Sequence, residues 1–416
     1  MWDGRFRSAL VEDGVATLLA LRQIDSLAGS QAAVGESLER SSQAHRTGGR
    51  RDAALVDPPA YWQLGNTPFE RESIYRHLLA EPLPADERQA QVLRSILQHR
   101  AARRLLSPSE AINVLTIGAC HDDDVAPNGS PVMAAAPYAS ASLPNPTSAL
   151  GLGFRRSVKP ELLFPGGREQ LRSSTSHAPI ALRPVGSPNP YFGIRAAIPG
   201  TGGQTNSVTL HSGTSVAAAL ATHSAMRIFE ALQEPPSDPA YPRIDQNYHG
   251  VILKTLLVHA ARWDEATANS LKTLVNENGP LYWEHEREEL TRFLGYGRPD
   301  IQRVLDCAES RATLIGCGSI RADEADQYRV PLPAGLEGVH GFRAVSITVA
   351  WLTPLNLNHR MYRMAKLEAF PGSDKAFSLG VGRNKCQPPP NATGRSTIFH
   401  QRWEGTKAAP FIDGGH

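Results

Sequence analysis

Cysteine is scarce in this 416-residue chain. The four present, Cys120, Cys307, Cys317 and Cys386, are too scattered for a disulfide framework or a zinc site. An excess of either charge is also missing: 43 Lys and Arg against 41 Asp and Glu leave a formal net charge of +2, which argues against a nucleic-acid partner or a membrane surface. No apolar run approaches the length of a membrane span. Met1 to Leu10 carry Asp3, Arg5 and Arg7 where a signal peptide needs an apolar core, and no internal repeat occurs. The expectation is a soluble, cytoplasmic protein with free thiols, needing no metal and no cofactor. Its hydrophobic share, 41%, is enough for a sizeable core, in one large domain plus a smaller one.

The most informative stretch is Ser212-Gly213-Thr214-Ser215-Val216-Ala217-Ala218-Ala219-Leu220, continuing to Phe229. Gly213 supplies the freedom for a tight turn. Val216, Ala217, Leu220, Ile228 and Phe229 then mark a helix read as largely buried. The turn delivers Ser215 to the first turn of that helix, where unpaired N–H groups and the helix dipole favour developing negative charge. A serine nucleophile whose tetrahedral intermediate carries an oxyanion needs that environment. An N-capping serine on an ordinary core helix would satisfy the same residues.

In chain order, residues 1–63 form a poorly ordered or degenerate leader. Val15 to Leu21 could make a short helix, and Ser26 to Arg51 is rich in Ser, Gly, Ala and Arg without periodicity. Pro84-Ala85-Asp86-Glu87 opens a helix whose apolar spacing runs through Val92, Leu93, Ile96 and Leu97 to Leu105 and Leu106. Ile112 to Ala119 reads as a buried strand closed by glycine. In Cys120-His121-Asp122-Asp123-Asp124 the adjacent acids point in different directions, so solvated side chains are the better reading than a metal site. Residues 125–150, rich in Pro, Ser, Ala and Asn, read as a long surface loop. Lys159 to Gly167 is a short strand entering a Pro-Gly turn. Ile252, Leu253, Leu256, Leu257 and Ala260 mark another buried helix, in which His259 is a satisfied helix histidine. From about Ala312 the pattern alternates. Tyr328 to Pro333, Arg343 to Trp351 and Lys366 to Phe370 read as strands of a small sandwich, with Trp351 and Tyr362 in its core.

Taken together these pieces resemble the subtilisin-like serine proteases. Val114-Leu115-Thr116-Ile117-Gly118-Ala119 looks like the strand after the family's oxyanion asparagine. Lys159-Pro160-Glu161 through Pro165-Gly166 looks like the family's KPD…PG segment, with Glu for the usual Asp. Gly213-Thr214-Ser215-Val216-Ala217-Ala218 matches the nucleophile signature GTSxAA, and Gly295-Tyr296-Gly297 the turn after the last catalytic-domain helices. Ser107 to Asn113, Ala350 to Pro354 and His359 to Arg363 are similar to a branch of large bacterial subtilases. The resemblance implies an α/β fold, a partial three-layer subtilisin-like domain with a mainly parallel sheet over 64–310. A β-rich, sandwich-like domain over 311–416 would follow. It also implies Ser215 as nucleophile acting on a polypeptide substrate. Asn66, in Leu64-Gly65-Asn66-Thr67 where the family has AGN, would be one oxyanion donor and the Ser215 N–H the other; a plain turn asparagine is the competing reading.

The family order places the catalytic Asp and His upstream of that asparagine, and both remain unassigned here. Asp25 and His45 echo the expected segments only faintly, and too few residues separate His45 from Asn66 for the intervening fold, so both read as surface polar residues. His211 and His223 flank the nucleophile and read as packed or surface histidines rather than bases. The expectation is therefore a truncated or frame-disrupted protease chain with little or no activity alone, completed by a missing N-terminal portion or a partner chain. A non-catalytic binding or assembly module is the alternative. An α/β-hydrolase is disfavoured because no G-x-S-x-G elbow surrounds Ser215.

Overall fold

The computed structural model describes residues 11–12, 15–23, 85–101, 103–122, 134–139, 142–174, 181–185, 187–234, 244–306, 311–320, 324–325, 341–369 and 382–408. In chain order the strands are β1 (Val11–Glu12), β2 (Val15–Gln23), β3 (Ile117–Cys120), β4 (Ala134–Ala135), β5 (Leu162–Pro165), β6 (Leu171–Ser174), β7 (Ala181–Pro184), β8 (Ile194–Ala197) and β9 (Val208–His211). They continue with β10 (Ala261–Arg262), β11 (Arg298–Pro299), β12 (Arg311–Ser319), β13 (Gly341–Ala350), β14 (Gly382–Arg383) and β15 (Ile398–Ala408). The main helices are α1 (Ala85–Gln98), α2 (Thr214–Gln233), α3 (His249–His259), α4 (Glu265–Val275) and α5 (Trp283–Leu294).

At the centre, β3 and β5 pair in parallel, Ile117 opposite Leu162 through Cys120 opposite Pro165. The strand expected over 112–119 is shorter because side chains claim its backbone. Lys159 Nζ donates to the Val114 carbonyl at 2.7 Å, and the Thr116 N–H donates to Glu161 Oε2 at 2.8 Å. α2 packs on both strands through Ala217, Ala221 and Ile228, which lie in one apolar cluster with Ala119, Leu162 and Phe164. Only that stripe is buried, whereas Ala218, Ala219, His223 and Met226 are exposed among the described residues, so the helix is less buried than its composition predicts. α3 is buried on nearly every side, and a second cluster joins α1, α4 and α5 through Val92, Leu93, Leu271, Leu290 and Phe293.

Several expectations change. α1 starts as predicted, with Asp86 and Glu87 in its first turn, but stops at Gln98 and leaves Leu106 in solvent. Val15–Gln23 is a strand, paired in parallel with β12 and β13, not a helix. The stretch 125–150 is no surface loop in its described part: Tyr138, Leu143, Asn145 and Leu150 are buried, and β4 pairs with β6. At the C-terminal end β12 to β15 share one six-stranded mixed sheet with β1 and β2, while Lys366 to Ala369 forms no strand. That sheet is tied to the preceding elements. Thr397 Oγ1 donates to the Ile112 carbonyl at 2.8 Å, Lys254 Nζ donates to Thr397 Oγ1 at 2.8 Å, and Tyr296 Oη donates to the Ile398 carbonyl at 2.7 Å. His259 is satisfied, its Nδ1 2.8 Å from the Thr348 hydroxyl. Trp351 is in the core and Tyr362 is buried, while the expected strand at Tyr328 to Pro333 lies outside the described residues.

Candidate active site

Three of the motifs singled out in the sequence converge on β5, and the fourth is its partner β3. At the N-terminal end of β5 the Tyr296 N–H donates to the Glu161 carbonyl at 2.7 Å, and the Leu163 N–H to the Gly297 carbonyl at 3.0 Å. Gly295 must be glycine there: its φ is 56°, and a Cβ would lie 2.1 Å from the Pro160 carbonyl oxygen. At the other end the Gly166 N–H donates to the Cys120 carbonyl at 2.9 Å, while the Gly166 carbonyl accepts the Gly213 N–H at 2.7 Å. The Pro-Gly turn therefore holds the nucleophile turn directly.

Gly213 is the N-cap of α2, at φ 123° and ψ 176°, a conformation side-chain-bearing residues rarely adopt. No side chain caps the helix, so the N-capping serine reading does not apply: Ser215 sits inside the first turn. The Val216 and Ala217 N–H groups turn back to the Gly213 carbonyl at 3.2 and 3.4 Å. Those of Thr214 and Ser215 have no acceptor among the described residues, as expected for the first turn of a helix. The Ser215 side chain is exposed and its hydroxyl has no hydrogen-bond partner among the described residues. An exposed hydroxyl beside unspent N–H groups at the positive end of a helix can attack a carbonyl and stabilise the resulting oxyanion.

His211 is half-buried and His223 exposed, and no hydrogen bond joins either to Ser215. Cys120 is sealed in the core, where burial pushes its thiol up to about 12. His121 is buried, its Nδ1 accepting the Glu169 N–H at 3.2 Å, and Asp122 pairs with Arg298 at 2.5 Å. Burial lifts the Glu169 carboxyl to about 7, opposed by hydrogen bonds from the Thr147 hydroxyl and N–H. Among the described residues no His, Cys, Asp and Glu group is placed to hold a metal. Asp25, His45, Asn66, Asp123 and Asp124 lie outside the described residues.

Glu161, standing where the family has Asp, is structural. It pairs with Lys159 at 2.6 Å, both side chains being almost fully buried, and Lys254 Nζ reaches the Asn113 carbonyl at 3.1 Å. Burial pushes the Glu161 carboxyl up, with Lys159 and Lys254 opposing, and pushes the Lys254 ammonium down to about 7. Sequence reasoning missed Lys254, whose helix is read from its apolar positions, and Asn145, whose segment reads as a surface loop.

No helix of the described residues is long and apolar enough to cross a membrane. The subtilase family model matches residues 94–297, a segment that contains β3, β5, the Ser215 turn and the Gly295–Gly297 turn. The chain is similar to the uncharacterized protein y4bN of Sinorhizobium fredii, 24% identical over 265 residues, covering 63% of this chain and 54% of that protein. It thus spans about half the length of that curated relative. No solved structure matches it. The family match and the convergence of the motifs on one strand pair thus fall on the same stretch: residues 94–297 are similar to the subtilase family.

Proposed function

We propose that this chain carries the nucleophile half of a serine peptidase site acting on polypeptides. In this reading Ser215 Oγ attacks the scissile carbonyl carbon, a base takes the hydroxyl proton, and the oxyanion binds the Ser215 N–H together with the Asn66 amide. The supporting observation is the exposed Ser215 hydroxyl in the first turn of α2, behind a glycine cap held at 2.7 Å by Gly166. The match of residues 94–297 to the model of a family of serine-type peptidases supports it further. The parallel pairing of β3 with β5 under α2 supports the three-layer reading of 64–310, and β12 to β15 the β-rich reading of 311–416. A histidine–aspartate pair from outside the described residues would complete the triad.

A second reading, a non-catalytic binding or assembly module on the same scaffold, is favoured by one observation: among the described residues no imidazole reaches the Ser215 hydroxyl. A fluorophosphonate probe separates the two, because it reports an activated serine without requiring a known substrate. The first reading expects labelling of the wild type and none of Ser215→Ala. An unlabelled wild type overturns it and leaves the second.

A further inference from the structure

We propose that Asn145 is a positioning residue for Ser215, acting through the Gly166–Gly167 turn; this rests on the nucleophile reading above. Asn145 is almost completely buried in the segment leading to β5. Its backbone N–H donates to the Ala119 carbonyl at 2.8 Å, and its Nδ2 donates to the Gly167 carbonyl at 2.9 Å. The carbonyl one residue earlier, that of Gly166, accepts the Gly213 N–H that sets the cap of α2. One residue, through its backbone N–H and its side-chain amide, thus fastens the end of β3 to the turn that aims Ser215. The fit is close: a Cβ on Gly166 would lie 2.4 Å from the Ala119 Cβ and 3.2 Å from Asn145 Nδ2.

Asn145 is itself held in a fixed frame. The Ser148 N–H donates to its carbonyl at 2.8 Å, Ser148 Oγ accepts the Ala119 N–H at 3.2 Å, and Glu169 Oε2 accepts the Thr147 N–H at 3.2 Å. Its Oδ1, by contrast, is buried with no hydrogen-bond partner among the described residues. A buried amide that gains one hydrogen bond while leaving an acceptor dry contributes little net stability. What the side chain does supply is a directed donor to the turn.

The test compares the full-length wild type with Asn145→Ala and Asn145→Asp. The readouts are the rate of fluorophosphonate labelling and amide hydrogen exchange across residues 211–217, with α3 as the internal reference. Asn145→Ala should slow labelling about tenfold or more and speed exchange in 211–217 severalfold, leaving α3 unchanged. In Asn145→Asp a protonated carboxyl can still donate to the Gly167 carbonyl and a carboxylate cannot, so its exchange in 211–217, relative to wild type, should climb with pH. If Asn145→Ala does not fold, the Asp variant at low pH keeps the donor and carries the comparison. Unchanged exchange in 211–217, or an equal rise throughout the chain, overturns the proposal. An unlabelled wild type would defeat the nucleophile reading separately, while the exchange measurement still decides whether Asn145 fixes the turn.

Discussion

At the N-terminal end of β5 three ionisable side chains, Lys159, Glu161 and Lys254, are sealed from water, whereas just past its C-terminal end two glycines brace a turn whose serine faces solvent. The dry end spends its polar groups on one another and on the Val114, Thr116 and Asn113 backbone. The wet end leaves the Thr214 and Ser215 N–H groups without acceptors among the described residues. Buried charges are costly unless compensated, so substitutions at the first end should register in stability. Unspent donors next to a hydroxyl are what acyl transfer uses, so substitutions at the second should register in reactivity with little change in melting.

The contrast breaks most visibly at Glu161. Glu161→Gln removes the one carboxylate that pairs with Lys159 among the described residues and leaves that buried ammonium without its counter-charge. Removing one partner of a buried ion pair costs about 3–5 kcal/mol, so the midpoint of urea unfolding should fall sharply. A shift near zero would show that the cluster is hydrated and that the two ends of β5 do not differ in kind.

A smaller effect should come from pH, through the interface of α3 with the C-terminal sheet. There the Thr348 hydroxyl lies between His259 Nδ1 at 2.8 Å and His400 Nδ1 at 2.7 Å. Burial lowers both imidazoles, His400 to about 3, with the Arg402 charge adding to it. Because the folded values lie below the unfolded one, the unfolded chain binds more protons under pH 6.5. The stability these neutral rings carry is complete above that pH and lost as pH falls toward the folded values. For His400 the loss should approach about 1.4 kcal/mol per pH unit, or roughly 2 kcal/mol at pH 5, and His259 adds to it in the same direction. His400→Phe should flatten the slope of unfolding free energy between pH 6 and 5; an unaltered slope would remove His400 from the account.

What could be read in the sequence was what is local. Gly213, Gly295 and the Pro165-Gly166 turn announce themselves because a backbone conformation or a close approach demands glycine, and the demand sits within a few residues of each motif. The buried faces of α1 and α3 follow from spacing. Bonds made across long stretches of chain leave no such trace: Thr397 to Ile112 spans 285 positions, and Lys254 to Asn113 spans 141. Asn145 sits among prolines and serines, which suggest solvent, yet the hydrogen bonds of Leu143 and Asn145 backbone with β3 and its end draw that segment into the core. The spacing predicts a strand over 112–119, longer than β3, for the same reason: periodicity cannot show that Lys159 and Glu161 take the backbone groups a longer ladder would need. Asn66 remains an expectation from its motif and its place in the order of motifs, and Asp25 and His45, read as surface polar residues, lie with it outside the described residues.

The smallest expected effect, and the one that sharpens the comparison, is at Lys254. Lys254→Met removes a charge that burial disfavours while keeping the aliphatic length in α3. The Asn113 carbonyl loses its donor, but Thr397 Oγ1 still donates to the Ile112 carbonyl, and the Lys159–Glu161 pair is left balanced. Replacing a buried ion by an apolar side chain of similar volume is often neutral or stabilising, so at pH 7 the change should stay within about 1 kcal/mol. The sign with pH is sharper than the size. Lys254 in the folded chain releases its proton near pH 7, well below the ordinary lysine value of 10.5. Between those values the unfolded wild type binds the extra proton, so wild-type stability rises with pH while this contribution is absent from the variant. The methionine variant should therefore compare best with wild type at pH 6 and worst at pH 9, in paired denaturation curves. A variant most destabilised at pH 6 would reverse that sign, and Lys254 would then be a fully paired charge like Lys159 rather than the weakly held proton of the dry end.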